Sequence, residues 1–121
     1  RIATLGGTTL DGMCDDVRAV GAAIGRDAEA AALVADFAAR SRAVHETLKA
    51  ARAPRPRVAV VEWTDPIFLA GHWGPEMVRR AGGFGVLGVA GAHSTTVAPD
   101  ALAAADPEVV LVAPCGYDLP R

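Results

Sequence analysis

The segment VAVVEWTDPIFLAGHWGPE, residues 58–76, contains both tryptophans of the chain and one of its three histidines. It begins with four consecutive apolar residues, 58–61, a pattern typical of a strand buried in an α/β sheet. Open α/β sheets bind ligands beyond the carboxyl ends of their strands, so residues 62–73 are expected to face a ligand. Pro75 and Glu76 then predict a helix start, because proline suits the first helical position and an acidic side chain complements the positive helix end.

Two more strand candidates follow, at residues 84–90 and 109–113, and a short helix from Pro99 to Ala105 separates them. The alternation of strands and helices predicts an α/β fold with a parallel sheet and right-handed crossovers. Short connections then place the three post-strand loops on one edge of that sheet.

The amino-terminal part of the chain predicts two helices. Thr8 is the expected cap of the first helix, Gly25 its end, and Cys14 lies on its buried face. The second helix extends from Asp27 to about Ala51 without glycine or proline, a length of about 35 Å. From the residues alone it is either a strut between two packed units or a helix that wraps one sheet. One apolar stripe follows it: Ala30, Leu33, Val34, Phe37, Ser41, Val44 and Leu48.

Composition excludes several classes of protein. The 121 residues are 51% hydrophobic, which is enough for a core, and the formal net charge of -2 gives no electrostatic basis for binding nucleic acid or anionic membrane. No apolar run approaches the roughly 20 residues that span a bilayer. Cys14 and Cys115 lack paired spacing, so two independent thiols are expected.

Chemically specific side chains concentrate in the post-strand segments. Four of the six aromatic residues fall there, together with His72 and His93, and flat aromatic side chains suit a wide apolar ligand. The alternative is that a tryptophan only closes the end of the sheet. The four aromatic residues are Trp63, Phe68, Trp73 and Tyr117.

No catalytic constellation is present in the sequence. It has no nucleophile elbow, no phosphate-binding loop and no dinucleotide-binding glycine motif, so we do not expect an enzyme. His72, His93 and Cys115 can meet at the sheet edge, but their spacing matches no zinc signature, and a metal-assisted α/β enzyme module is only an alternative.

Four segments carry a family resemblance. The motifs EWTDP (62–66) and GHWGPE (71–76), with ADPEVV (105–110) and PCGYD (114–118), resemble cobalamin-binding proteins, the substrate-binding components of vitamin B12 ABC importers in the class III periplasmic binding protein superfamily. The resemblance implies two Rossmann-like α/β lobes joined by one long rigid helix, with the ligand in the cleft between them. It favours the strut interpretation and implies that the chain is a fragment. Residues 1–26 are then the end of the first lobe, 27–56 the connecting helix and linker, and 57–121 the second lobe.

The resemblance also implies a ligand, a partner and a location. Cobalamin is expected as a transported ligand and not as a catalytic cofactor, and a siderophore or haem is the alternative, since Ser94 stands near the position of a ligand-side tryptophan of the family. Asp100 falls where an acidic residue docks the binding protein onto its membrane permease, and the location is periplasmic or extracytoplasmic. The ligand-binding residues are expected to be Trp63, Phe68, His72, Trp73 and Tyr117.

The apolar stripe of the long helix raises one further expectation. A stripe that is partly without a partner favours association of the fragment into a homodimer. The residues concerned are Leu33, Phe37, Val44 and Leu48.

Overall fold

A computed structural model of the chain describes residues 2–116 and contains four helices and five strands within them. The chain divides into two compact units, Arg1–Ala53 and Pro54–Arg121. None of the helices in residues 2–116 is long and apolar enough to cross a bilayer. The first unit contains α1 (Leu10–Ile24) and α2 (Asp27–Ala50); the second contains β1 (Arg57–Thr64), β2 (Ile67–Leu69), α3 (Gly74–Arg80), β3 (Phe84–Gly85), β4 (Thr95–Thr96), α4 (Pro99–Ala104) and β5 (Val109–Val112).

Helix α1 is capped one residue later than the sequence predicts. The side-chain oxygen of Thr9, not that of Thr8, accepts a hydrogen bond of 3.0 Å from the backbone N–H of Gly12. The helix ends at Gly25, as predicted, in the left-handed conformation that glycine adopts without a steric penalty. Cys14 is buried on this helix, also as predicted, and its thiol is free.

Helix α2 begins and ends within one residue of its prediction, but its apolar stripe is little covered. Among its 24 residues, all of which the structure describes, Ala30 is the one that is buried. Leu33 and Val44 are exposed, and Phe37 and Leu48 are half-buried. The function of α2 as a connecting helix, and the lobe boundaries that go with it, stay predictions.

Strand β1 is the centre of the sheet in the second unit. The carbonyls of Pro56, Val58 and Val60 accept hydrogen bonds on one edge of this strand, from residues in or beside β3 and β2. Those of Arg57 and Val61 accept on the other edge, from the residues that flank β5. Both β3 and β5 are parallel to β1, as the α/β pattern predicts, and the α/β fold class is confirmed.

The sheet is nevertheless mixed, because β1 turns directly into a hairpin. The chain reverses at a cis Asp65–Pro66 peptide, and β2 then pairs antiparallel with β1. Strand β4 pairs antiparallel with β2, whereas the strand predicted for residues 84–90 is reduced to the two residues of β3. The turn residues Asp65 and Pro66 are visible in the sequence, but the pairing that they allow was not part of the prediction.

One helix covers the core of this sheet. Pro75 stands in the first turn of α3, as predicted, and Val78 of this helix is buried with Val58 and Leu69. Strand β5 lies where it was predicted, yet all four of its residues are exposed. The core of the second unit therefore lies along β1, β2 and α3.

Candidate functional site

A β-bulge at Glu62 sets the position of Trp63. Val61 is opposite Leu69 and Trp63 is opposite Phe68, so β1 advances by two residues while β2 advances by one. In a regular strand Trp63 shares a face with Val61, which is buried. The bulge breaks this alternation, and Trp63 remains 37% exposed.

The hairpin presents two of the predicted ligand-binding residues together. Trp63 and Phe68 are direct partners in the antiparallel register, so their side chains leave the sheet on the same face. The indole N–H of Trp63 donates a 2.9 Å hydrogen bond to the carbonyl of Asp65, which fixes the ring against the turn. A fixed and partly exposed indole can offer its apolar surface to a ligand at little cost in conformational entropy.

The loop after β2 is joined to the loop before β4 by main-chain hydrogen bonds. The N–H of His72 donates to the carbonyl of Ala92 at 2.5 Å, and the N–H of Gly91 donates to the carbonyl of His72 at 2.9 Å. A Cβ atom on Gly71 would lie 2.4 Å from the carbonyl oxygen of Ala92. The two loops can thus approach this closely because residue 71 is glycine.

Ser94 connects these loops to the bulge. Its hydroxyl donates a 2.6 Å hydrogen bond to a carboxylate oxygen of Glu62 and accepts a 3.1 Å hydrogen bond from the N–H of Gly71. The family resemblance placed Ser94 near a ligand-side position, and Glu62 fell in the segment 62–73 that was expected to face a ligand, but their contact was not predicted. The glycine in the Gly71-His72-Trp73-Gly74 motif was the available signal that a close backbone approach occurs there.

His72, Trp73 and His93 form a connected group of rings. The Nε2 atom of His72 lies 3.1 Å from Nδ1 of His93, and the two ring planes are nearly perpendicular, at 84°. The ring centroids of His72 and Trp73 are 5.8 Å apart. Trp73 is 43% exposed, so this group presents aromatic surface to the outside, as the hairpin does.

The structure does not gather every predicted residue at this surface. His72 and His93 meet, but among residues 2–116 no group of three His, Cys, Asp or Glu side chains is arranged to hold a metal ion, and Cys115 does not join the histidines. Asp100 is exposed in the first turn of α4. Tyr117 lies outside the described residues.

Comparisons with known proteins place the chain in a family. The family model described as periplasmic binding protein matches residues 2–119. No curated protein sequence matches the chain.

Solved structures share the fold of the chain. An ABC transporter substrate-binding protein from Listeria monocytogenes is 22% identical with a TM-score of 0.79 and covers 96% of this chain and 45% of its own. A periplasmic haem-binding protein from Pseudomonas aeruginosa is 24% identical, with a TM-score of 0.78 and coverage of 98% and 44%. A periplasmic vitamin B12 binding protein from Vibrio cholerae is 18% identical, with a TM-score of 0.70 and coverage of 92% and 44%.

The chain spans less than half the length of these three proteins. They are binding proteins and not enzymes, in agreement with the expectation from the sequence. The Pseudomonas and Vibrio proteins bind different ligands, haem and vitamin B12. None of the comparisons supports the homodimer expected from α2. A family model that covers nearly all of the chain shows that the protein belongs to the periplasmic binding protein family.

Proposed function

We propose that the chain binds a corrinoid, with cobalamin as the first candidate, and passes it to the permease of an ABC importer. The observation that carries this proposal is the exposure of two tryptophans, Trp63 and Trp73, in a chain that has six aromatic residues. Indole surface in water is unfavourable, and a large flat macrocycle that covers it gains the corresponding transfer free energy.

Polar groups lie beside the exposed aromatic rings of the protein. His72 lies beside Trp73 and contacts His93, so two imidazole rings adjoin the indole surface, and the hydroxyl of Ser94 stands at the junction of the two loops. A corrin ring carries amide side chains on its rim, which need hydrogen-bond partners when the ring is buried. We assign Trp63, Phe68 and Trp73 to contacts with the ring face and His72 to its polar substituents, and we add Tyr117 on the family resemblance alone.

Fluorescence titration of the 121-residue chain tests this assignment. Since both tryptophans belong to the proposed surface, added cobalamin should quench the emission saturably. Trp63→Ala and Trp73→Ala should each weaken binding by about 1–3 kcal/mol, the range for loss of a buried aromatic contact. Binding to these variants is followed by co-elution of the coloured ligand on a sizing column.

Phe84 provides a matched control. It is an exposed aromatic residue of the same sheet, but it pairs with Arg57 at the opposite end of β1 from Trp63. Phe84→Ala should therefore leave cobalamin affinity unchanged. Equal losses in Phe84→Ala and Trp73→Ala, or no saturable quenching in the wild type, would contradict the assignment.

Haem is the second candidate, and one specific observation favours it. Imidazole nitrogens are ligands for haem iron, and the His72 ring lies beside an exposed indole. A haem titration followed by the Soret band separates the two ligands, since histidine coordination shifts the band and the shift should disappear in His72→Asn. Binding of haem in preference to cobalamin would replace the first candidate by the second.

We assign contact with the permease to Asp100. Its carboxylate is exposed in the first turn of α4, where a charged partner can reach it. Asp100→Asn should weaken binding to the permease in detergent, measured by co-purification, without changing ligand affinity. Asp27, which is exposed in the first turn of α2, gives the matched control Asp27→Asn. A loss in both variants, or in neither, would contradict the assignment.

A further inference from the structure

We propose that His72 and His93 form a two-nitrogen chelate for a divalent first-row transition-metal ion, with Cu²⁺ the most tightly held. Neither the family nor the proposed transport of a macrocycle requires such a site, and the proposal stands without either of them. It rests on the distance between two ring nitrogens and on the backbone that holds them.

The separation of the two nitrogens fits a single metal ion. Nε2 of His72 and Nδ1 of His93 are 3.1 Å apart. With metal–nitrogen bonds of about 2.0–2.1 Å, two nitrogens at this separation subtend an angle of roughly 95–100° at the metal. This angle lies between the square-planar and the tetrahedral values, so the present separation of the nitrogens matches neighbouring coordination positions on one metal ion.

Ring rotation supplies the remaining adjustment. To bind a metal ion equidistant from both nitrogens, each nitrogen lone pair has to point about 40° away from the line that joins the nitrogens. The torsion that turns a histidine ring has a broad energy profile, and His93 is exposed, so its ring has room to turn. The side chains can therefore move from a shared hydrogen bond to a chelate while the backbone stays in place.

The backbone holds the two residues together before any metal arrives. His72 has a φ of 49°, in the left-handed region, which costs a residue with a side chain about 1–2 kcal/mol. Its N–H and its carbonyl both bond to residues of the 91–92 segment, immediately before His93. Strained residues that the surrounding structure holds in place are typical of functional sites. Here the hydrogen bonds on both sides of His72 fix its backbone in advance, which removes much of the entropy cost of chelation.

Metal binding leaves the number of protons on the two histidine rings unchanged. In the metal-free pair one ring nitrogen carries the proton and the other accepts it. Metal binding requires both lone pairs, so the shared proton moves to the outer nitrogen of its own ring, and both rings remain neutral. Nothing is oxidised or reduced. Since an imidazolium has no lone pair to give, acid should weaken binding.

The choice of metal follows from the donors. Imidazole suits copper, nickel and zinc, and for a given set of ligands Cu²⁺ binds most strongly. Within residues 2–116 the protein supplies two ligands and not three, so water or another small ligand completes the coordination.

The test is a Cu²⁺ titration of the 121-residue chain, prepared without a histidine tag, in a buffer that does not coordinate copper. The ring of Trp73 lies 5.8 Å from that of His72, so bound Cu²⁺ should quench tryptophan emission with a stoichiometry of one per chain. His93→Ala and His72→Asn should each weaken the affinity by about tenfold or more. Asparagine is chosen at position 72 because it tolerates the left-handed backbone.

His45 is the control, because it is the third histidine of the chain and stands alone in α2. His45→Ala should bind Cu²⁺ as the wild type does. The electron paramagnetic resonance spectrum of the wild-type complex should show hyperfine coupling to two imidazole nitrogens, and this readout does not depend on the folding of any variant. Wild-type affinity in His93→Ala, loss of binding in His45→Ala, or coupling to a single nitrogen would each overturn the proposal.

Discussion

The hydroxyl of Ser94 lies 2.6 Å from a carboxylate oxygen of Glu62 and also accepts the N–H of Gly71. One oxygen atom thus joins the bulge of β1 to both loops that carry the histidines. We expect Ser94→Ala to lower the free energy of unfolding by about 1–2 kcal/mol, because a half-buried carboxylate and an amide each lose a partner. Urea unfolding, followed by tryptophan emission, measures this loss.

Ser94→Thr is the matched variant, since it retains the hydroxyl. It should keep most of the stability that Ser94→Ala loses. If the two variants lose the same amount, the hydroxyl does not connect the segments in solution.

Gly71→Ala should be more damaging than an ordinary glycine substitution. The added Cβ would lie 2.4 Å from the carbonyl oxygen of Ala92 and 2.5 Å from backbone atoms of His93 and Ser94. Backbone atoms cannot move aside as a flexible side chain can, so we expect a cost of about 1–3 kcal/mol in the free energy of unfolding. The contact between His72 and His93 should be lost with it.

Gly85→Ala provides the control in the same sheet. A Cβ at that position would have its nearest neighbour at 3.9 Å, an ordinary contact distance. Thermal unfolding should show little change for Gly85→Ala and a clear decrease for Gly71→Ala. Similar melting temperatures would show that the two loops do not approach as closely as the structure describes.

Features set by local chemistry could be predicted from the sequence. Gly25 ends α1, Pro75 stands in the first turn of α3 and the apolar run 58–61 lies in the central strand, because backbone preference and apolar pattern act within a few residues. The position of His72 after a strand also followed from this pattern, whereas Trp63, which was expected after the first strand, lies within β1.

Features that depend on which strands and loops meet in the fold could not be predicted in the same way. The bulge at Glu62 depends on which residues of β2 stand opposite, and the sequence of β1 alone does not contain that information. The contact of His72 with His93 likewise depends on how closely the two loops approach at Gly71. Residues 93 and 72 are separated by a helix and a strand, so no local pattern connects them.

The cap of α1 gives a direct test of a corrected prediction. Thr8 and Thr9 are adjacent and chemically identical, yet the side chain of Thr9 is the one that accepts the N–H of Gly12. Thr9→Ala should cost about 1 kcal/mol, the usual loss for a helix cap. Thr8→Ala should change stability by less than about 0.5 kcal/mol. A larger loss of unfolding free energy in Thr8→Ala than in Thr9→Ala, measured by urea unfolding, would show that Thr8 is the cap.

Val61 and Val112 allow the exposure of β5 to be measured, because they are register partners in parallel strands and differ mainly in burial. Val61 is 4% exposed and Val112 is 56% exposed. Threonine has nearly the shape of valine and a similar preference for strands, so substitution at either site changes little except the polarity of one group. Val61→Thr buries a hydroxyl and should cost about 1–3 kcal/mol. Val112→Thr leaves the hydroxyl in water and should cost less than about 0.5 kcal/mol. Equal costs in urea unfolding would mean that β5 is covered in solution, contrary to its exposure in the structure.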